Sequence, residues 1–104
     1  MQNFKNFIST PTLGEILREE FMTPLDISDD KLAKDIAVSS KIIKDILNNK
    51  QKITPDISLR LGIYFGVSER YFLNLQNDID IRNTKLAISD ELKNIKPVKI
   101  IKKI

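Results

Sequence analysis

Between Asp30 and Lys50 the chain reads "DKLAKDIAVSSKIIKDILNNK". Its apolar residues fall at Leu32, Ala33, Ile36, Val38, Ile43, Ile46 and Leu47, with polar residues in the gaps. A half-buried strand alternates with a period of two, and one long helix has no use for the break at "AVSS". The spacing predicts two short helices joined by a tight turn. Ser28 caps the first, with Asp29 and Asp30 in the opening turn, where the helix dipole favours negative charge. Ser39 caps the second, which runs to about Asn48. The pair Asn48-Asn49 suits its end, because Asn tolerates the left-handed conformation.

Two such helices form a helix-turn-helix if their inner residues mesh at a steep crossing. Ala33 is the small residue needed where the second helix passes close, and Val38 is an apolar plug for the turn. Ile43, Ile46 and Leu47 point inward, leaving Ser40, Lys41, Ile42, Lys44 and Asp45 outward. A unit of this kind presents its second helix to the major groove of B-DNA, which is about 12 Å wide. Ser40 and Lys41 are then placed for base edges, and Lys44 for a base edge or a phosphate. Ser39, Asn48, Lys50 and Lys52 are expected at phosphates, where contacts set register rather than sequence. From Ser39 to Lys52 the chain holds four lysines against Asp45. The same two-helix pattern also occurs in all-α domains that do not bind DNA, and spacing alone does not separate the two.

The flanking sequence extends the helical pattern. Thr12 and Glu15 in "TLGE" form a capping box, followed by a stripe of Leu13, Ile16, Leu17 and Phe21. The segment "TPLD" is expected to stop that helix, since Pro24 disfavours helical geometry at Thr23. Thr54, Pro55 and Asp56 open a fourth helix with Ile57, Leu61, Tyr64 and Phe65 on its inner side, ended by Gly66. Ser68 is expected to cap a fifth helix running through "ERYFLNLQNDIDIRNTKLA". Nothing before Pro97 reads as a strand. The fold class is therefore all-α, a compact five-helix domain over residues 11–90, with an N-terminal arm (1–10) and a C-terminal tail (91–104).

Composition bounds the function. With 104 residues the chain makes one domain with one core, and 41% hydrophobic against 30% charged residues excludes wholesale disorder. Cysteine and histidine are absent, which removes thiolate chemistry, the commonest general base and the commonest metal ligand. No cofactor is expected, and the lack of cysteine fits a reducing cytoplasm. No apolar run approaches a membrane span. The Ser-x-x-Lys match "SDDK" is a weak acyl-transfer signal, and Ser28 is already accounted for as a helix cap. The formal charge of +3 is unevenly spread. Residues 1–90 carry 12 Lys/Arg against 13 Asp/Glu, whereas residues 91–104 carry five lysines against Glu91.

Three separated motifs, in order, carry a resemblance: "GEILREEFMTPLDIS", "KLAKDIAVSSKIIKDILNNKQKITPDISLRLGIYFGVS" and "YFLNLQNDIDIR". Together they resemble the HigA-type antitoxins of bacterial toxin–antitoxin systems, within the phage-repressor-like helix-turn-helix proteins. The resemblance covers roughly Pro11 to Arg82. It implies a homodimer on double-stranded operator DNA over its own operon, and a cognate toxin, a small HigB-like ribonuclease, whose activity the complex suppresses. The chain departs from the family pattern at four places. Asp29 stands where Gln usually contacts a phosphate, and a carboxylate there is repulsive. Ala37 and Asn49 replace glycines at turn positions, and Ser40 replaces a frequent basic residue.

The fifth helix is apolar on more than one side. Phe72, Leu75, Ile79 and Leu86 form one stripe, with Leu73, Ile81 and Ile88 partly off it. A second apolar face calls for a second packing partner. A twin chain would supply it, since two-fold readers set recognition helices about 34 Å apart. The N-terminal "FKNFI" folded back is the alternative. The tail "ELKNIKPVKIIKKI", with Val98 and Ile100 on one side, is open to three readings: a solvated segment, a basic arm on phosphates, or a strand added to a partner's sheet.

Overall fold

A computed structural model describes residues 11–99. The expected arm at residues 1–10, its "FKNFI" segment and the tail from residue 100 onward lie outside these. The described residues form helices and connecting turns, with no strand among them.

Helix α1 begins with the expected capping box. The Thr12 hydroxyl accepts from the Glu15 N–H at 3.1 Å, and Glu15 Oε1 accepts from the Thr12 N–H at 2.9 Å. The helix ends within "TPLD" as expected, but Thr23 is not where it ends. After Leu13–Ile16 the winding widens into a π-helical segment, Leu17–Met22, and then tightens into a 3-10 turn, Thr23–Leu25. In an α-helix the proline ring would collide with the carbonyl four residues back; the wider turn moves that carbonyl away, and Thr23 keeps helical angles. Asp26, in the left-handed region at φ 56°, makes the actual stop.

Helix α2 spans Asp29–Asp35 and α3 spans Ser40–Leu47. Ser28 and Ser39 cap them as expected, accepting from the N–H groups of Lys31 (3.1 Å) and Ile42 (3.2 Å). α4 runs Pro55–Phe65, capped by Thr54 and closed by Gly66 at φ 71°. α5 runs Tyr71–Ala87 and starts later than expected. Ser68 caps a turn ahead of it, accepting from the Arg70 N–H at 3.1 Å, and no side chain caps α5 itself. A short sixth helix, α6 (Ser89–Lys93), crosses the expected tail boundary at residue 91. Ile95–Lys99 beyond it have no regular structure, and Val98 is exposed.

The core gathers Leu13, Leu17 and Met22 of α1, Leu32 and Ala33 of α2, Ile43, Ile46 and Leu47 of α3, Ile57 and Leu61 of α4, and Phe72 and Ile79 of α5. Burying each large aliphatic or aromatic side chain is worth about 1.5–3 kcal/mol relative to exposure. Phe21 extends the core as an aromatic hub, with ring centroids 4.9 Å from Phe72, 5.2 Å from Phe65 and 5.8 Å from Tyr71. Phe72 and Ile79 are thus interior residues of the subunit. They cannot belong to the expected dimer stripe, because this chain's own α1 and α4 already cover that side of α5. Of the four, Leu86 is exposed and Leu75 is half-buried.

Candidate nucleic-acid interface

The turn between α2 and α3 is a Schellman closure. The Val38 N–H donates to the Ala33 carbonyl (2.9 Å) and the Ala37 N–H to the Lys34 carbonyl (3.2 Å), with Ala37 at φ 61°. Val38 is half-buried against the core, the plug the sequence called for. The carbonyls left open at the end of α2 are met from α4: the Arg60 guanidinium donates to Ile36 O (2.7 Å) and Ala37 O (3.2 Å), while Asp56 accepts from its Nε.

α3 ends in the same motif. The Lys50 N–H donates to Asp45 O (2.7 Å) and the Asn49 N–H to Ile46 O (3.0 Å), with Asn49 at φ 61°. Asn49 does more than tolerate this conformation. Its Oδ1 accepts from the Gly14 N–H (3.2 Å) and its Nδ2 donates to the Thr12 hydroxyl (3.1 Å). One side chain therefore ties the end of α3 to the start of α1. The two helices meet so closely that a Cβ on Gly14 would stand 2.3 Å from the Leu47 carbonyl oxygen.

Held at both ends, α3 turns Ser40, Lys41 and Lys44 outward. Lys41 is 82% exposed and bonds Asp45 one turn on at 2.8 Å. An exposed pair of this spacing is worth about 0.2–0.5 kcal/mol, so a phosphate or base edge can displace it. Lys44 Nζ lies 3.0 Å from Asp30 Oδ1, and the same oxygen accepts from Ser40 Oγ at 2.8 Å. Ser39 and Asn48 are exposed at the two caps of α3, and Lys50 is exposed just past its end. Lys52 is drawn toward α5, where its ammonium bonds Asp80 at 2.8 Å; Asp80 also accepts from Gln76 (3.2 Å), and Gln76 in turn accepts from the Ile53 N–H (3.4 Å). Ile42, expected to point outward, is half-buried against the core. Asp29 is turned onto α1, 3.2 Å from Arg18, so its charge is paired within the chain.

Sequence reasoning missed Asp80, Arg60 and Arg18 and, for Asp30 and Asn49, placed the residues at helix ends without the bonds by which they set where these side chains point. Among these contacts the Lys41–Asp45 and Asp56–Arg60 pairs carried a local signal, a spacing of four on one helix. Lys31, the lysine of "SDDK", bonds Asp35 at 2.9 Å while Ser28 serves as the cap.

No family model matches the chain. It is 42% identical over 69 residues to virulence-associated protein I of Dichelobacter nodosus, a match spanning 66% of this chain and 64% of that protein. It is 33% identical over 88 residues to an HTH-type transcriptional regulator of Haemophilus influenzae, covering 83% of this chain and 82% of the relative. Its fold superposes with TM-score 0.78 and 34% identity on the Pseudomonas aeruginosa antitoxin HigA solved with the higBA promoter, over 86% of this chain and all of that one. On these matches the chain belongs to the HigA-type antitoxins, within the helix-turn-helix transcriptional regulators.

Proposed function

We propose that the protein is a cytoplasmic antitoxin that binds operator DNA as a homodimer, represses its own operon and neutralises a small HigB-like ribonuclease toxin. It works by occupying its partners rather than by turnover. The observation that carries the DNA-binding reading is the outward face of α3, with Lys41 and Lys44 held proud by Asn49, Gly14 and the α2 turn. The Pseudomonas aeruginosa relative sharing this architecture was solved with promoter DNA. Support for the homodimer comes from the far end of α5. Ile81, Leu86 and Leu92 are exposed there, and an apolar groove of about 400 Å³ is lined by Asp80, Ile81, Thr84, Lys85, Ile88 and Leu92.

Fluorescence anisotropy on the promoter duplex tests the DNA reading. With three or four phosphate contacts per subunit, a dimer loses on the order of a thousandfold or more in affinity between 50 and 200 mM salt. Lys41→Ala is expected to relax sequence preference, and Lys50→Ala to weaken all duplexes alike. Leu86→Glu is expected to yield monomers in sedimentation velocity and to weaken operator binding with them. A second reading, a toxin-neutralising module with weak DNA binding, is favoured by the carboxylates of Asp30, Asp45 and Asp80 beside three of the four lysines. No binding at 50 mM salt would select it.

A further inference from the structure

Two aspartates open α2, and their situations differ. Asp29 is packed toward α1, its side chain one-quarter exposed and paired with Arg18. Asp30 stands at the edge of α3, its side chain 77% exposed, with one carboxylate oxygen shared by Ser40 Oγ and Lys44 Nζ. The Ser40 hydrogen bond, then Lys44, hold its carboxyl below the usual carboxylate range, so it is charged at neutral pH. The lysine at the centre of the reading face is therefore not a free cation. A phosphate reaching Lys44 must displace this carboxylate or settle beside a like charge.

Sequence-independent binding draws on such phosphate contacts, whereas specific binding adds hydrogen bonds to base edges. A fixed anion on the reading face opposes the first more than the second. It also restrains the Lys44 stem from sweeping across neighbouring phosphates. Resting on the DNA-binding reading above, we propose that Asp30 is a specificity-determining residue: by engaging Ser40 and Lys44 it suppresses binding to duplexes that lack the operator sequence. Asp30 acts through Lys44, so it is a positioning residue rather than a base contact. It sharpens discrimination at the expense of affinity.

The test compares two probes, a random-sequence duplex and a duplex enriched from a random pool by the wild-type protein. Asp30→Asn keeps the shape and removes the charge. It is expected to raise affinity for the random duplex by about three- to tenfold at roughly 0.1 M salt and to steepen its log–log salt slope by about 0.9, one phosphate contact. Affinity for the enriched duplex changes less, so the ratio between the two falls. Asp90→Asn removes the same charge from α6, at a carboxylate paired with Lys93 rather than with any lysine of α3, and is expected to leave that ratio unchanged. In a Lys44→Ala background Asp30→Asn should have no further effect on the slope. Circular dichroism and urea midpoints identify any variant that fails to fold. Equal gains on both duplexes, or an Asp90→Asn variant that matches Asp30→Asn, overturn the inference. Folded wild-type protein that binds neither probe at 50 mM salt overturns the DNA-binding reading itself; wild-type binding with an inert Asp30→Asn overturns this inference alone.

Discussion

Ala37 and Asn49 occupy equivalent positions, each the left-handed residue that closes a helix at φ 61°, yet glycine should act oppositely at the two. Left-handed geometry costs an ordinary L-residue about 1–2 kcal/mol. Glycine removes that cost but adds about 0.5–1 kcal/mol of unfolded-chain entropy. The Ala37 side chain is exposed and makes no hydrogen bond, so Ala37→Gly should stabilise the fold by about 0.5–1 kcal/mol. Asn pays less for the conformation, and its side chain holds Gly14 N–H and Thr12 Oγ1. Each of those bonds contributes about 0.5–1.5 kcal/mol net. Asn49→Gly gains little backbone relief and loses both, for a destabilisation of about 1–2 kcal/mol. The two variants should therefore separate by roughly 2 kcal/mol, about 1 M in urea midpoint for a domain of this size. Equilibrium urea unfolding followed by circular dichroism measures it directly. If both substitutions stabilise, the Asn49 bridge contributes nothing; if both destabilise, Ala37 is under no backbone strain.

Gly14→Ala must push α1 off the Leu47 carbonyl, which is backbone and cannot rotate away; a loss of about 2–4 kcal/mol is expected in the same unfolding assay, and a loss under 0.5 kcal/mol would mean the helices do not meet as described. The Tyr64 hydroxyl bonds Asp35 at 2.5 Å, which holds the Asp35 carboxyl below the usual range and pushes the Tyr64 phenol above its own. The stabilisation from a lowered carboxyl is present above about pH 4 and is lost as pH falls through the lowered value. That from a raised phenol is present below about pH 10 and is lost as pH rises through the raised value. The stability gap between wild type and Tyr64→Phe should therefore be flat between these limits and close at both ends, as urea midpoints across pH would record. A gap that ignored acid would exclude Asp35 as the partner.

What the sequence made legible is what the chain decides locally. Thr12, Ser28, Ser39 and Thr54 all cap helices, because a cap bonds an N–H three residues away and needs no distant partner. The stop does fall within "TPLD", at Asp26, but Thr23 stays helical because the rule against proline assumes α-helical radius and the widening of Leu17–Met22 removes the collision. The stripe on α5 misled for a different reason. Phe72 and Ile79 share a face, but periodicity says only that a face is covered and not by which body; here the covering body is the same chain. The partners of the candidate DNA-binding residues were the least visible. Asp30 meets Lys44 across 14 residues and Lys52 meets Asp80 across 28, distances at which no spacing rule operates.

These long-range contacts divide α3 into unlike parts. Its ends are fixed by features that are hard to yield: a glycine contact no Cβ could enter, an asparagine bonded across 35 and 37 residues, and a turn whose carbonyls Arg60 fills. Its outward face carries only exposed ion pairs, weak in water and displaceable by a stronger partner. A reading element requires that division. Rigid ends keep the helix from being reorganised on binding, which lowers the ordering cost of association. The exposed pairs of Lys41 and Lys44 are weak in water, so the outward face is where an incoming anion would displace an intramolecular one. A body of net charge −1 over residues 1–90 is consistent with that arrangement, since a strongly cationic domain would bind any duplex it met.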